Sequence, residues 1–363
     1  MTTTAPAAVV PPEKRKRASG SGGGNALGRY IIVRALLIIP TVFILVTMVF
    51  ILMRVIGDPI TAALGGRLTA DQLAERIHAA GYDRPIFVQY FEYLGQVFTG
   101  NFGSSITDGR PIIDILATYG PATFELAFYA LVVALIVGIP LGMIAAYFRD
   151  RWPDAILRVV AILWYATPVF FAGLLLKLVF SVWLGWLPVA GRASTRNELG
   201  LSSMDAGTGI YILDALRIGD PAIIGDVLAH AVLPGVALGL LTAGVFLRLV
   251  RTNVIGTLSM DYVDAARSRG VSEYRLVRKH AYKPALIPII TVIGLQIAVL
   301  LGGAVLTETT FEWKGLGFQL AQYLTSRDFV AVQGIVALLA VIVALTNFIV
   351  DIIAALIDPR VRY

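Results

Sequence analysis

The side chains that most often carry chemistry in proteins are scarce in this sequence of 363 residues. There is no cysteine, which excludes disulfides, thiolate metal sites and cysteine nucleophiles. The three histidines, His78, His230 and His280, are too scattered to suggest a metal site. No Gly-x-x-x-x-Gly-Lys-Ser/Thr motif is present, so no ATP-binding loop is expected. Because no convergent nucleophile, base and metal ligands appear either, we expect no enzyme activity and no cofactor in this chain.

One polar segment of the chain has a definite pattern. Residues 259–280 are typical of two short helices that break at Gly270, and Ser272 can cap the second helix. In the first helix, Ala265 and Ala266 leave one face with only small side chains. Since another protein can approach such a face closely, it is a candidate docking surface.

The polar segment 259–280 lies between apolar segments, of which the sequence contains six. Hydrophobic residues make up 57% of the chain and charged residues 15%, which is more apolar surface than one soluble core can bury. A bilayer core of about 30 Å takes about 20 helical residues to cross. The prediction is an all-α, polytopic membrane protein with spans near 31–53, 122–148, 156–180, 230–256, 285–307 and 330–357.

The distribution of positive charge predicts which way the spans run. Six spans place both termini on one side, and if that side is the cytoplasm, nineteen of the thirty Lys and Arg residues are inside and ten are outside. The loops 54–121 and 181–229 then face outward, and the loop 257–284 is cytoplasmic. The same distribution accounts for the net charge of +6 without nucleic-acid binding.

Residues 1–29 are rich in Ala, Pro, Gly and Ser and carry a basic run at 14–17. They predict a flexible basic cytoplasmic tail, followed by one transmembrane domain over residues 30–363. The first apolar stretch is too long for a secretory signal, so we expect an uncleaved first span.

The two outer loops differ in how much pattern they contain. In the loop 54–121, Thr69 as an N-cap and Gly81 as a stop predict one short helix, and a second is expected over residues 86–98. The loop 181–229 shows little pattern beyond its Gly, Asp and Pro content.

Several charged residues lie near the ends of the predicted spans, although placing an ionisable group in a membrane is unfavourable in free energy. Glu125, Lys177 and Asp351 each lie near a span end, from which the side chain can reach the interface. Arg248 and Arg251 close the fourth span and are expected to anchor it at the inner surface. Pro140 and Pro168 can kink the spans that contain them.

The segment around Gly270 resembles the EAA loop of binding-protein-dependent ABC importer permeases. The matching order is an acidic residue, Ala265-Ala266, three residues and Gly270, followed by a basic stretch. Asp264 stands where the family usually has Glu. The similarity covers about residues 28–363 and is typical of the B-type subunit of dipeptide and oligopeptide importers, in the runs 57–59, 82–85, 121–126, 138–142, 167–170 and 347–351.

This resemblance implies a type I ABC importer permease fold with a cytoplasmic coupling helix that docks in a cleft of an ATPase. The implied ATPase-coupling residues are Asp261, Tyr262, Asp264, Ala265, Ala266, Arg267 and Gly270. The run 307–313 corresponds to the part of the family that forms the outer gate. Its implied pathway or gate residues are Glu308, Phe311, Glu312 and Trp313.

The resemblance also implies an assembly in the bacterial cytoplasmic (inner) membrane, with both termini cytoplasmic and with lipid but no nucleic acid as a partner. Its other members are a C-type sister permease, two cytoplasmic ATPase subunits that hold ATP and Mg, and an extracytoplasmic substrate-binding protein. The expected role is the pore-forming subunit that imports di- or oligopeptides.

Two alternatives stay open. Nickel chelates, haem or other small solutes such as sugars could replace peptides, because such importers take their specificity largely from the binding protein. An ion-coupled secondary transporter is the rival class. It would need paired broken helices or buried acid relays near the midplane, and six spans with few midplane acids argue against it.

Overall fold

The computed structural model describes residues 23–66 and 68–357, and this part of the chain is helical apart from loops and a single isolated bridge between Ser104 and Pro111. The predicted tail residues 1–22 lie outside the described residues. In chain order the helices are α1 (Gly23–Ile56), α2 (Pro59–Leu64), α3 (Ala70–Ala79), α4 (Ile86–Phe98), α5 (Ile112–Tyr147), α6 (Trp152–Ala166), α7 (Val169–Leu176), α8 (Thr195–Ser202), α9 (Tyr211–Ile218), α10 (Pro221–Leu258), α11 (Asp261–Ser268), α12 (Glu273–Arg275), α13 (Tyr282–Gly303), α14 (Val305–Phe311), α15 (Leu316–Thr325) and α16 (Phe329–Ile357).

Four of these helices, α1, α5, α10 and α16, are each long and apolar enough to cross a membrane alone. Two more spans result if the bent pairs α6–α7 and α13–α14 each count as one. The described part of the chain thus agrees with the predicted all-α, six-span architecture. Helix α1 begins at Gly23, so residues 23–29, which the sequence pattern places in the tail, are helical.

The third span is broken where Pro168 predicts a kink. Thr167 has extended backbone angles (φ −78°, ψ 125°), as expected for a residue before proline, and Pro168 has no N–H to continue the helix. Helices α6 and α7 meet at 104°. Helix α7 then continues as a π-helical segment, Lys177–Trp183. Pro140, by contrast, lies within the continuous helix α5.

The loop 54–121 contains the two short helices that its sequence predicts. Thr69 and Gln72 form a capping box, in which each side chain accepts a hydrogen bond from the other residue's backbone N–H, so α3 begins where expected. Gly81 follows its end with a φ of 75°. Helix α4 packs two tyrosines against Phe50 of α1, with ring centroids 5.2 and 5.6 Å apart.

The loop 181–229 contains helices α8 and α9, which its sequence does not reveal. Each has eight residues, too few for a clear periodic signal. Asp214 of α9 is fully buried and accepts hydrogen bonds from the N–H and hydroxyl groups of Thr208. Tyr211, Ala215 and Val227 add a small apolar cluster, and the loop therefore has its own core.

Helices α5 and α10 form the most extensive helix pair of the described chain and pack through glycines. A Cβ at Gly138 would lie 2.7 Å from the carbonyl oxygen of Ala243, and one at Gly142 would lie 2.7 Å from Cβ of Val250. A Cβ at Gly239 on α10 would lie 2.7 Å from the carbonyl oxygen of Ala130. Small residues four apart allow this approach, so the run 138–142 is a helix-packing site.

Replacing Gly142 with alanine is expected to lower the free energy of unfolding by about 1 to 3 kcal/mol, because the added methyl group overpacks the α5–α10 contact. The measurement is thermal unfolding of the purified chain in detergent. Gly225→Ala is the matched control, since Gly225 is also helical and a Cβ there would have no atom within 4 Å. If both variants unfold at the same temperature, close packing at Gly142 is not limiting.

Candidate functional site

Helix α11 follows α10 almost directly and is held by one apolar side. Met260 has extended backbone angles (φ −88°, ψ 144°), which turn the chain out of α10. Val263 is fully buried and lies in one apolar cluster with Leu258 and Leu276. Because this side of α11 packs against the protein, the opposite side of the helix is exposed at the surface.

The exposed side of α11 consists of Asp261, Asp264, Ala265 and Ser268. Their spacing of three, four and seven residues places them on one stripe of the helix, here called the α11 face. The small side chain of Ala265 lies in the stripe, and two carboxylates flank it.

Gly270 makes the turn after α11. Its φ is 81°, in the left-handed region that favours glycine, and its N–H donates to the carbonyl oxygen of Arg267 at 3.0 Å. Arg267 bridges the turn, because it pairs with Asp264 before the glycine and with Glu273 after it. The hydrogen bond to Glu273 raises the pKa of Arg267 above its usual value.

The chain returns to the membrane through α12 and a π-helical segment, Leu276–Ala281. Leu276 and Val277 are buried in the cluster that contains Val263. The hydroxyl of Tyr262 donates to the carbonyl oxygen of His280 at 3.1 Å. Ser272 stands at the expected cap position, but its side chain makes no capping hydrogen bond. The two halves of the segment thus brace each other.

The predicted coupling residues therefore fall into two groups. Asp261, Tyr262, Asp264, Ala265 and Gly270 are exposed, whereas Ala266 and Arg267 are half-buried. Ala266 packs against the apolar cluster beneath the helix. The structure brings all seven residues into one compact segment, and their role in ATPase coupling stays a prediction.

On the opposite side of the molecule, Glu308 is fully buried in α14. It accepts hydrogen bonds from the hydroxyl of Thr123 at 2.6 Å and from the N–H of Phe318 at 2.8 Å. Thr123 in turn accepts from the N–H of Leu316 at 2.8 Å. The carboxylate therefore ties the segment after α14 to helix α5.

The other predicted gate residues surround this tie. Trp313 is fully buried and donates its indole N–H to the carbonyl oxygen of Ala122 at 2.8 Å. Phe311 is also buried, whereas Glu312 is exposed with a φ of 52°. Glu308, Phe311 and Trp313 thus pack in the interior of this conformation, and a pathway or gate role for the four stays a prediction.

An ion pair beside this region is not expected from the sequence. The Arg192 guanidinium lies 2.5 Å from the Glu125 carboxylate, and both side chains are at least 95% buried. Glu125 also accepts from the N–H groups of Tyr211 and Ile212, and Arg192 stacks 3.6 Å from the centroid of the Tyr211 ring. The prediction that Glu125 reaches the interface is wrong, because Arg192 and the loop backbone satisfy its charge inside the protein.

Two protein families match this chain. The family described as binding-protein-dependent transport system inner membrane component matches residues 138–363, and its N-terminal companion family matches residues 27–127. The chain belongs to this family. It is therefore a multi-pass permease, and the polar segment 259–280 lies within the matched region.

Several curated proteins are similar in sequence to most of this chain. The di/tripeptide transport system permease protein DppB of Pseudomonas aeruginosa is 39% identical, covering 90% of this chain and 96% of its own. The probable D,D-dipeptide transport system permease protein DdpB of Escherichia coli K12 is 39% identical, covering 84% and 88%. The glutathione transport system permease protein GsiC of Escherichia coli O1:K1 is 34% identical, covering 92% and 99%.

A solved structure supports the fold alone. An inward-facing structure of the MetNI methionine ABC transporter matches with a TM-score of 0.50 and 16% identity. The match covers 68% of this chain and 98% of the other. It supports the type I importer permease fold for the present chain.

A cavity of about 460 Å³ lies between α5 and the loop that contains α8 and α9, on the predicted outer side of the permease. Arg192 and Tyr211 line it, together with an ion pair between Lys314 and Glu198 at 2.9 Å. The hydrogen bond from Lys314 to Glu198 raises the pKa of that lysine. This cavity joins the second outer loop to the segment after α14.

Three other charged residues near the ends of spans, Lys177, Asp351 and Arg251, have partners within the protein. Lys177 donates to the carbonyl oxygen of Thr310 at 2.7 Å, and Asp351 lies 3.3 Å from Arg34. Arg251 makes two hydrogen bonds, of 2.5 and 2.7 Å, to the fully buried Asp154. Within residues 23–66 and 68–357, no group of three His, Asp or Glu side chains is arranged to hold a metal ion.

Proposed function

We propose that the chain is the pore-forming permease subunit of an ATP-driven importer that carries short peptides across the bacterial cytoplasmic membrane. Support for the substrate class comes from the relatives named for di- and tripeptides, D,D-dipeptides and glutathione, all of which are short peptides. Their shared length and identity with this chain favour the same class of cargo here.

The proposed assembly contains a C-type sister permease, two cytoplasmic ATPase subunits that bind ATP and Mg, and an extracytoplasmic binding protein. Both termini and the α11 segment then lie in the cytoplasm, as the excess of Lys and Arg on that side favours. This chain supplies the membrane pathway, and its partners supply ATP hydrolysis and substrate capture.

The main support for a coupling mechanism is that the α11 face is exposed while buried side chains hold the helix in place beneath it. When ATP closes the two ATPase subunits, the closed state binds one spacing of the paired docking helices better than another, and the equilibrium shifts towards that spacing. A segment that transmits such a shift must be stiff. Val263 packs it from below, and Arg267 and Tyr262 tie its two halves together.

Co-purification and transport assays test this function. With the sister permease, ATPases and binding protein co-expressed, the chain is expected to co-purify with the ATPases, and vesicles are expected to take up a labelled dipeptide in a vanadate-sensitive way. Uptake that resists vanadate but collapses with the ion gradient would instead identify a secondary transporter.

Gly270→Val is expected to reduce uptake several-fold, because a β-branched residue in the left-handed region adds about 1 to 3 kcal/mol of backbone strain. No atom lies within 4 Å of a Cβ at this position, so the expected effect comes from the backbone alone. Gly270→Asn is the control, since asparagine tolerates this region far better. Equal dipeptide uptake by the two variants would show that the turn is not required.

A further inference from the structure

A cavity of about 410 Å³ lies between α6 and α10 on the predicted cytoplasmic side of the permease. Its lining follows α6 from Arg158 to Ala166, the last residue of that helix, and α10 from Gly244 to Thr252. Three arginines line it, Arg158, Arg248 and Arg251, and none of its lining residues is acidic. The rest of the lining is mainly apolar, from residues such as Ala161, Ile162, Ala166, Gly244, Val245 and Leu247.

The three arginines are not equally neutralised. Arg251 is paired with both oxygens of Asp154, while Arg158 lies 3.7 Å from the same carboxylate. The guanidinium of Arg248 makes no hydrogen bond or ion pair with any side chain that the structure describes, and the residue is exposed. Asp154 therefore contacts two of the guanidinium groups, and Asp150 also attracts Arg251. Three positive charges against these two negative charges leave the cavity with an excess of positive charge, at Arg248.

The cavity is continuous with an apolar surface. Ile162 and Tyr165 of its lining are exposed, as are Ile156, Val159 and Leu163 on the same helix. A ligand that fits must therefore combine an anionic group for the arginines with an apolar part for the helix surface. A short peptide supplies the charge but needs hydrogen-bonding groups along its backbone, which this lining largely lacks.

We propose that this cavity binds an anionic phospholipid of the cytoplasmic leaflet, with the phosphate held by Arg158 and Arg248. Its acyl chains lie along the exposed apolar side of α6. Basic pockets between membrane helices on the cytoplasmic side suit phosphate headgroups, because guanidinium groups form paired hydrogen bonds with phosphate oxygens. Arg251 is a positioning residue here, because its contact with Asp154 fixes α6 against α10.

Native mass spectrometry of the purified full-length chain, supplied with equal amounts of phosphatidylglycerol and phosphatidylethanolamine, tests the site. We expect the chain to retain phosphatidylglycerol in preference to phosphatidylethanolamine. The double variant Arg158→Gln/Arg248→Gln should retain at least about tenfold less phosphatidylglycerol than the wild type. The matched control is Arg149→Gln/Arg151→Gln, which removes the same charge from exposed residues just before α6 that do not line the cavity. It is expected to retain the lipid.

Three results would overturn the proposal. Equal loss in both double variants would mean that lipid binding follows surface charge alone, and displacement of the bound lipid by a dipeptide would assign the cavity to the transported substrate. Arg248→Gln alone guards against misfolding, because that guanidinium has no described partner to lose. It must melt at the wild-type temperature and retain several-fold less phosphatidylglycerol, and unchanged retention also refutes the site.

Discussion

Ala265→Glu is expected to reduce ATP-dependent uptake at least about tenfold while the chain still inserts and folds. Ala265 is exposed at the centre of the α11 face, between Asp261 and Ser268. A longer, charged side chain at this position holds the docking partner away from the helix and adds a buried charge to the contact. Losing one well-packed contact of this kind costs on the order of 2 kcal/mol or more, which corresponds to at least a tenfold loss of binding.

The measurement is dipeptide uptake by vesicles that contain the assembled importer, with co-purification of the ATPase subunits as a second readout. Ala74→Glu makes the same chemical change on the exposed helix α3, at the opposite side of the protein, and should leave both readouts unchanged. Ala266 is a poorer choice, because it packs against the apolar cluster and its replacement also disturbs folding. Wild-type uptake in Ala265→Glu would remove the α11 face from the coupling mechanism.

Arg192→Met is expected to destabilise the permease by about 3 to 5 kcal/mol, because it leaves the carboxylate of Glu125 buried without its opposite charge. The readouts are the midpoint of thermal unfolding in detergent and the yield of folded protein. In the part of the chain that the structure describes, the backbone N–H groups of Tyr211 and Ile212 and the hydroxyl of Tyr129 would be the remaining hydrogen-bond donors to this carboxylate.

The double variant Glu125→Gln/Arg192→Met should recover much of this loss, since the glutamine oxygen can still accept from the backbone and no charge remains. Arg84→Met provides the comparison, because Arg84 and Glu92 form an exposed pair that should contribute at most about 1 kcal/mol. If Arg192→Met and Arg84→Met cost the same, burial does not control the strength of these pairs.

The sequence is informative wherever the signal is local. Apolar length identifies the spans, the Thr69–Gln72 capping box identifies the start of α3, and Gly270 marks the break after α11. Each of these signals is carried by neighbours within a turn or two of helix, or by one long run of apolar residues. The resemblance to importer permeases, confirmed by the family match, rests on the same kind of short motif.

The features that the sequence does not reveal depend on partners far apart in the chain. Glu125 and Arg192 are 67 residues apart, and Glu308 and Thr123 are 185 apart. A single sequence gives no sign that such residues meet, so residue type and position alone place Glu125 at the interface and Glu308 in an open pathway. The short helices α8 and α9 escape prediction for a related reason, because Asp214 and an apolar cluster hold them rather than a periodic pattern.

The length of α10 has a mechanical consequence. Its 38 residues run from the loop 181–229 almost to the start of α11. At about 1.5 Å per residue the helix is about 57 Å long, well beyond the thickness of a bilayer core. For a rod of that length, tilting by about 5° moves one end by about 5 Å relative to the other. A rotation small enough to leave the glycine contacts with α5 intact can therefore be a large displacement where α10 meets α11.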